Sequence, residues 1–370
     1  MPASSADRAG NSQGRKGGWK APQDVATRAK ALRDGAPAPP PLLERCWECF
    51  PDLPPAGSFD WLGRNSPGER DRPGQPLKRF LQPGPHRNFP TRMSRRIYLL
   101  PLGNVTGAPD QAVLRRLLTV WFGLETVMMP TLPAKALATL ERDEAGSGYG
   151  PQIESPSAAQ IMHAQSTLCT GPKLVDTVSD PSNVPTGWCA GLAGRSLRPS
   201  VAEPKDAFAL IGYTMEDICD TRKGFDFLFG QAHLDLSVGL FSFARYSDDV
   251  DMASARFLRR CGMVLCHEAM HLFGIKHCVY ACCLMNGSNH LAESEARPFA
   301  VCPVDLQKLA LTLDQAKLQG RDTPPVDIVA RERSLHEFFH EHGLEDDAQF
   351  SRMLITALTG VPEPALGALK

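Results

Sequence analysis

The sequence predicts an α/β domain, and three neighbouring segments carry that prediction. Residues 95–103, RRIYLLPLG, form an apolar run closed by a glycine, which is typical of a buried strand. Residues 110–123, DQAVLRRLLTVWFG, repeat apolar side chains at the spacing of an amphipathic helix that begins after Pro109. Residues 125–132, ETVMMPTL, then predict a second strand. A strand, a helix and a strand in this order imply a parallel pair of strands with a crossover helix.

Two later segments are predicted to add strands to the same domain. Residues 206–219, DAFALIGYTMEDIC, form an apolar run followed by a turn, which predicts a buried strand. Within residues 225–246, FDFLFGQAHLDLSVGLFSFARY, two sets of side chains alternate from Leu234 to Phe241. This alternation predicts a half-buried strand.

The most informative stretch, residues 266–302, begins with the array HExxHxxGxxH. Positions four apart lie one turn above each other on a helix, so His267 and His271 can point two imidazoles at one metal ion. Gly274 is predicted to end this helix in a left-handed conformation, which glycine adopts at little cost. The chain can then reverse and bring His277 to the metal as a third ligand.

Three imidazole ligands leave one tetrahedral position open, which is typical of a catalytic rather than a structural zinc site. Zinc in such a site lowers the pKa of water to about 7 and polarises a carbonyl group. Glu268, next to the first histidine, is the candidate general base. It would take a proton from the attacking water and pass it to the leaving amine. The array therefore predicts hydrolysis of peptide bonds in a peptide or protein substrate.

The residues after this array narrow the pattern to one family. The informative positions are Cys278, Cys283, Met285, Cys302 and Asp305. The stretch resembles the archaemetzincins, zinc peptidases of the metzincin clan with HExxHxxGxxH, then CxxxxCxM, then a distant CxxC. The resemblance implies a metzincin-like zinc peptidase domain with a mixed sheet and an active-site helix. It also implies a second, structural zinc with Cys278, Cys283 and Cys302 among its ligands, and a turn at Met285 that supports the catalytic metal.

Two departures from that family pattern concern the second zinc. Asp305 stands where the fourth cysteine is expected, and 16 residues separate Met285 from Cys302, one fewer than in the family. Aspartate binds zinc through oxygen, so a site of three cysteines and one aspartate is chemically possible, although weaker and more exchangeable. Cys282, beside Cys283, is a competing ligand. A rearranged or an empty second site is therefore also open.

The resemblance also suggests where a substrate binds. Residues 225–246 resemble the strand that precedes the active-site helix in archaemetzincins. In metzincins the sheet edge above that helix binds an extended peptide through main-chain hydrogen bonds. An ordinary internal strand is equally compatible with the sequence.

A second array, HExxHxxGxxD, occurs in HEFFHEHGLED near the end of the chain. Its key residues are His336, Glu337, His340, Gly343 and Asp346. Neither a cysteine pair nor a methionine turn follows it at suitable spacing, and the surrounding sequence is strongly charged. The context favours a surface helix that packs Leu335, Phe338 and Phe339 inward over a metal site.

Composition divides the chain into three parts. Residues 1–92 hold 15 of the 32 prolines and are predicted to be a largely flexible extension in which SFDWLG and PLKRFL form short docking helices. Residues 93–320 are predicted to form the peptidase domain, and residues 321–370 a helical tail. In the extension, Cys46 and Cys49 form a lone CxxC pair, which predicts redox or metal function only weakly against a packed or solvent-facing pair.

Charge and cysteine content limit the partners and the compartment. The formal net charge is −1, with 40 basic and 41 acidic residues, which gives no support for a nucleic-acid or anionic-membrane partner. The sequence contains no apolar run of 18 residues, so no transmembrane helix is predicted. The N-terminus lacks the apolar region of a secretory signal. Eleven cysteines without such a signal indicate a reducing compartment. We therefore expect a cytoplasmic protein, with the nucleus also open.

Together these features predict a zinc metallopeptidase with one catalytic zinc and a second, structural zinc. The alternative is a zinc-stabilised binding protein with little or no hydrolytic activity. Glu268 argues against that alternative, whereas Asp305 argues mildly for a loosened scaffold. A zinc hydrolase acting on substrates other than peptides would use the same ligands. The sequence gives no indication of cleavage specificity or oligomeric state.

Overall fold

The computed structural model describes twelve stretches of the chain, from which the fold is built. The described residues are 24–34, 42–53, 74–82, 89–91, 93–131, 153–154, 206–220, 225–233, 237–247, 249–288, 291–318 and 326–364. The helices are α1 (Val25–Arg33), α2 (Leu77–Leu81), α3 (Gln111–Phe122), α4 (Ala255–Leu272), α5 (Leu291–Glu295), α6 (Pro303–Leu318), α7 (Ile328–Glu341) and α8 (Glu345–Thr359). Short 3₁₀ helices cover Leu43–Cys49 and Ala244–Tyr246. The strands are β1 (Arg96–Pro101), β2 (Thr126–Met128), β3 (Ile153–Glu154), β4 (Ala207–Thr214), β5 (Ile218–Asp220), β6 (Phe225–Leu228), β7 (Gly230–His233) and β8 (Val238–Ser242).

The main sheet has the strand order β2-β1-β4-β8-β7. Strands β2, β1, β4 and β8 are parallel, and β7 pairs with β8 in the antiparallel direction at one edge. A smaller sheet contains β3, β5 and β6. The predicted α/β fold class with a mixed sheet is confirmed, and so is the parallel pair of strands on either side of α3.

Local signals explain the bounds of α3, the crossover helix. The side chain of Asp110 caps its first turn by accepting hydrogen bonds from the backbone of Ala112 and Val113 at 2.7 and 3.2 Å. Gly123 ends the helix in the left-handed region, with a φ of 62°. Between these ends the apolar face, which includes Trp121, is fully buried. This face fixes the helix on the sheet.

The segment predicted as one half-buried strand, residues 225–246, forms β6, β7 and β8. Strand β8 is buried along its whole length, so the half-buried prediction is wrong for the part that the structure describes. The reason is its position between β4 and β7, with α4 packed against it. Inner strands of parallel sheets are covered on both faces, and their side chains are apolar on both. Residues 234–236 of the alternating run lie outside the described residues.

Helix α4 carries the first histidine array across the sheet. Ser254 caps it by accepting a hydrogen bond from Phe257 N at 3.2 Å. Phe257, Cys261 and Leu265, each four positions after the last, are fully buried. The helix packs against β7 and β8, and its last turns therefore lie beside the edge of the sheet.

The described parts of residues 1–92 pack against the domain, and the prediction that the extension as a whole is largely flexible stays a prediction. Helices α1 and α2 pack on α6, and the 3₁₀ helix Leu43–Cys49 packs on α6 and α8. Arg28 Nε donates to Tyr280 O at 2.9 Å, and Cys282 N donates to Pro51 O at 3.0 Å. PLKRFL forms the predicted docking helix as α2, whereas SFDWLG lies outside the described residues.

The predicted tail is helical in its described part and packs on the rest of the molecule. Helix α7 packs against α3 and α8, and α8 packs against the 3₁₀ helix near the N-terminus. Phe338 and Phe339 of α7 are fully buried. A division of the chain near residues 92 and 320 stays a prediction. Within the described residues, no helix combines the length and apolar character needed to cross a membrane.

Candidate metal centres

Three histidines of the first array converge in the structure. One ring nitrogen each of His267, His271 and His277 lies within 4.8 Å of the others. Their ring centroids are 4.8 to 5.4 Å apart. The turn that brings the third histidine back is as predicted, because Gly274 has a φ of 79° and its N–H donates to His271 O at 2.8 Å.

Backbone carbonyls orient two of these imidazoles. The Nδ1 atom of His267 lies 2.7 Å from Leu284 O, and the Nδ1 atom of His271 lies 2.6 Å from Ile275 O. A carbonyl only accepts, so each Nδ1 carries the proton and Nε2 keeps the lone pair that a metal needs. Burial and the neighbouring His271 hold the pKa of His267 well below its ordinary value, which favours the neutral, ligating form. This donor set fits a zinc ion.

Glu268 lies beside the histidines and against the edge strand. A side chain at Gly230 of β7 would approach Glu268 Cγ to 3.3 Å and the Phe241 ring to 2.3 Å, so the strand lies against the Glu268 side chain. Burial raises the pKa of Glu268 to about 7, and the positive charge of Arg297 opposes this shift. A carboxylate with such a pKa both accepts and releases a proton near neutral pH.

A second cluster lies directly after the histidines in sequence. Its members, each offering one atom within 4.8 Å of the others, are Cys278, Cys283, Cys302 and Asp305. Asp305 Oδ2 lies 3.6 Å from Cys302 Sγ and 3.9 Å from Cys283 Sγ, and all four side chains are buried. Cys282, the competing ligand, is outside the cluster, and its thiol contacts Ala296 O instead. Three sulfurs and one oxygen in a closed, buried site match the chemistry of a structural zinc.

One loop joins the two clusters. Cys278 N donates to Met285 O at 2.7 Å, which closes the loop between the two. Asn286, next in sequence, accepts from Cys283 N at 2.8 Å and donates to Cys278 O at 3.0 Å. Leu284, between Cys283 and Met285, is the residue whose carbonyl accepts from His267. Met285 is fully buried, and its role as a turn that supports the catalytic metal stays a prediction.

Curated relatives match a segment of this chain. Archaemetzincin-2 of Macaca fascicularis is 39% identical over 136 residues, which cover 29% of this chain and 37% of the relative. Archaemetzincin-1 of Homo sapiens is 30% identical over 137 residues, covering 29% and 27% of the two chains. Through this segment the chain is similar to archaemetzincins. The matched segment covers 37% of the length of the first two relatives, or about a third.

Comparisons with family models and solved structures add less than these curated relatives. No protein-family model matches the chain. A solved archaemetzincin from Archaeoglobus fulgidus is 19% identical, with 58% of this chain and 99% of that chain covered, at a TM-score of 0.33. A solved zinc-dependent peptidase from Methanocorpusculum labreanum is 17% identical, with 57% and 99% covered, at a TM-score of 0.38. TM-scores this low support no comparison of individual residues.

Three residues near the clusters escape motif-based prediction. Gln75 donates to Gly274 O and accepts from Lys276 N, both at 3.0 Å, so it clamps the backbone just before His277. Arg297 donates to Leu284 O at 3.1 Å and to the carbonyl of Asn286. The third, Lys308, contacts Asp305. A lone glutamine in a proline-rich segment carries no signal, whereas the spacing of three between Asp305 and Lys308 on a helix does.

The second array is not assembled into a metal cluster in the described part of the chain. His336 Nδ1 bonds Ala348 O at 2.8 Å in the interior, and exposed His340 pairs with Glu345. Asp346 lies in the first turn of α8. The predicted helix with an apolar inward face is confirmed, although His336, which is 8% exposed, lies on that buried face. Glu337 and Gly343 belong to α7 and to the turn after it.

The CxxC pair in the N-terminal segment is packed. Cys46 is buried, Cys49 is partly buried, and both thiols are free. Burial raises the pKa of both thiols, which disfavours the reactive thiolate. Neither belongs to a cluster with metal-ligand spacing among the described residues. The packed alternative is the one that the structure favours.

Proposed function

We propose that this protein is a zinc-dependent metallopeptidase that hydrolyses peptide bonds. The observation that carries the proposal is the convergence of three imidazoles, two of them oriented by backbone carbonyls, at the end of the helix whose Glu268 side chain lies against the edge strand. His267, His271 and His277 would hold the catalytic zinc. When bound, zinc supplies Lewis acidity, which activates water and polarises a carbonyl group.

Glu268 is proposed as the general base and then the general acid. It accepts a proton from water during attack and delivers that proton to the leaving amine. Glu268 follows His267 on α4 and its Cγ lies against Gly230 of β7, a position that would hold the carboxylate at the histidine site. The pKa of about 7 places both protonation states within reach. Arg297, which contributes positive charge nearby, favours the ionised carboxylate that begins the cycle.

Strand β7 is proposed to bind the substrate backbone. Among the described strands it is the last on its side of the main sheet, so its outer N–H and C=O groups could pair with an extended peptide. Gly230, at its start, lies over Glu268 and has no room for a side chain. A peptide paired with this strand would therefore run past the general base.

A second, structural zinc is proposed for the cysteine cluster. Cys278, Cys283, Cys302 and Asp305 would be its ligands, and their burial closes the site to substrate. The Met285 turn and the Leu284 carbonyl tie this site to His267. The second zinc would thus hold the loop that presents the catalytic ligands.

The deciding experiment measures zinc content and cleavage of a mixed peptide library in three proteins: wild type, Glu268→Gln and Glu337→Gln. Glu337 holds the position equivalent to Glu268 in the second array and serves as the matched control. We expect loss of cleavage with zinc retained in Glu268→Gln, and wild-type behaviour in Glu337→Gln. Zinc-loaded wild type that cleaves no peptide would contradict the proposal and favour a binding protein or another substrate class.

A further inference from the structure

The cysteine cluster contains a buried ion pair that the family pattern does not include. Asp305 Oδ1 accepts a hydrogen bond from Lys308 Nζ at 2.7 Å, and the side chains are 0% and 1% exposed. The other oxygen, Oδ2, faces Cys302 Sγ and Cys283 Sγ at 3.6 and 3.9 Å. The two carboxylate oxygens therefore have different environments, since one faces the thiols and the other faces an ammonium group.

The charge of the cluster explains why a lysine is buried there. Three thiolates and a carboxylate carry four negative charges, of which a zinc ion balances two. The remaining negative charge lies in a buried site, where unbalanced charge is costly. Lys308 supplies one positive charge at the carboxylate, and its Nζ also lies 6.0 Å from the centre of the Phe80 ring of α2. Lysine is otherwise among the residues least often fully buried.

We propose that Lys308 is a positioning residue of the second zinc site. By occupying Oδ1, it leaves Oδ2 as the single ligand atom of Asp305, and its charge balances part of the excess at the site. The inference rests on the proposed second zinc. In this chain an aspartate and lysine pair, three positions apart on α6, takes the place of the fourth cysteine of the family pattern.

A double-mutant cycle tests this role. Lys308→Met is made in the wild type and in Asp305→Cys, and zinc affinity is measured by competition with a chromophoric chelator. In the wild type we expect binding at the second site to weaken by about 10-fold to 100-fold, as for other partners of metal ligands. In Asp305→Cys the same substitution should weaken binding clearly less, because a cysteine has no second oxygen for the lysine to bind and only the contribution of the positive charge remains.

Cobalt substitution adds a readout that general destabilisation does not move. Lys308→Met should shift the visible bands of cobalt in the cysteine site, because the carboxylate loses the partner that fixes Oδ1. Lys308→Gln, which keeps a hydrogen-bond donor without the charge, should restore the bands but only part of the affinity. Arg245→Met is the matched control, because it removes the cation from buried Asp217, paired at 2.6 Å. It should lower stability and leave the cobalt spectrum unchanged.

The outcomes separate the two levels of the proposal. Unchanged zinc affinity in Lys308→Met, or an equal loss in both backgrounds, would overturn the role of Lys308 while the second zinc stands. The second zinc itself is tested by Cys283→Ser, which should lower the zinc content by one ion per chain. If wild type and Cys283→Ser hold the same zinc, the site proposed for the cluster fails, and the role of Lys308 fails with it.

Discussion

The two HExxHxxG arrays of this chain begin alike and end differently. Each lies at the end of a helix, α4 or α7, and each is followed by a glycine with positive φ, 79° at Gly274 and 69° at Gly343. The turns share hydrogen bonds as well. Gly274 N donates to His271 O at 2.8 Å, and Gly343 N donates to His340 O at 3.1 Å. Up to this point, the local structure does not distinguish a metal site from an ordinary helix end.

The difference arises in the residues after the glycine. After Gly274 the chain enters a loop that is closed by the Cys278 and Met285 pairing and presents His277 to the other two histidines. After Gly343 the chain enters α8, and Asp346 becomes part of its first turn. The motif supplies two ligands on a helix, whereas the third depends on the fold of the next segment.

The histidines of the two helices also have different partners. His267 and His271 direct Nδ1 to carbonyls of their own metal loop, Leu284 and Ile275. His336 instead bonds Ala348 O, which fastens α7 to α8. Its Nε2 has no hydrogen-bond partner within the described structure and is buried. We infer a packing role for this histidine.

The largest expected difference between the arrays comes from removing the second histidine of each. In His271→Ala we expect the catalytic zinc to be lost. Because the metal contributes several kcal/mol of transition-state stabilisation, peptide cleavage should fall by about a thousandfold or more. His340→Ala should retain the zinc and the activity of the wild type. Zinc content by mass spectrometry and peptide cleavage check both, and equal zinc loss in the two variants would break the comparison.

A smaller effect is expected from the two glycines. Alanine in the left-handed region costs about 1 to 2 kcal/mol, so Gly274→Ala and Gly343→Ala should lower the free energy of unfolding by similar amounts. Only Gly274→Ala should also weaken zinc binding at the histidines, by about tenfold, because the turn places His277. Chemical denaturation and chelator competition measure the two quantities separately. Weaker zinc binding in Gly343→Ala would show that the second turn also supports the metal.

Short-range signals were enough to predict much of this architecture. The buried stripe of α4 and the left-handed turn at Gly274 follow from spacing and residue type, and so does the order of β1, α3 and β2. The alternation around Val238 was misleading, because β8 lies between two strands and is covered on both faces. Alternation reports exposure only when one face of a strand meets water.

Long-range contacts could not be predicted in the same way. Gln75 lies 199 residues before Gly274, the backbone group to which it donates, and no pattern marks it. The packing of α1 and α2 on α6 likewise joins a proline-rich segment to the helix that carries Asp305. The high proline content of that segment predicted few regular elements. It could not show that parts of the segment between the prolines fold onto a distant helix.

The clamp at Gln75 gives a third, smaller prediction. Gln75→Ala removes two hydrogen bonds to the backbone of Gly274 and Lys276, each contributing about 1 kcal/mol. We expect zinc to leave the histidine site several-fold faster, because the turn before His277 is less constrained. The control is Gln82→Ala, an exposed glutamine after α2. Release is followed with a chromophoric chelator, and equal rates in wild type and Gln75→Ala would contradict the role of the clamp.

The smallest expected effect comes from completing the second array in sequence. Asp346→His creates HExxHxxGxxH, yet we expect no additional zinc, because Asp346, in the first turn of α8, does not cluster with His336 and His340 among the described residues. Loss of a negative charge at the start of that helix should cost about 0.3 to 1 kcal/mol of stability. Asp346→Asn controls for the lost charge. One extra zinc per chain in Asp346→His alone would show that the residues of the motif, and not the fold of the segment after the glycine, determine where the metal binds.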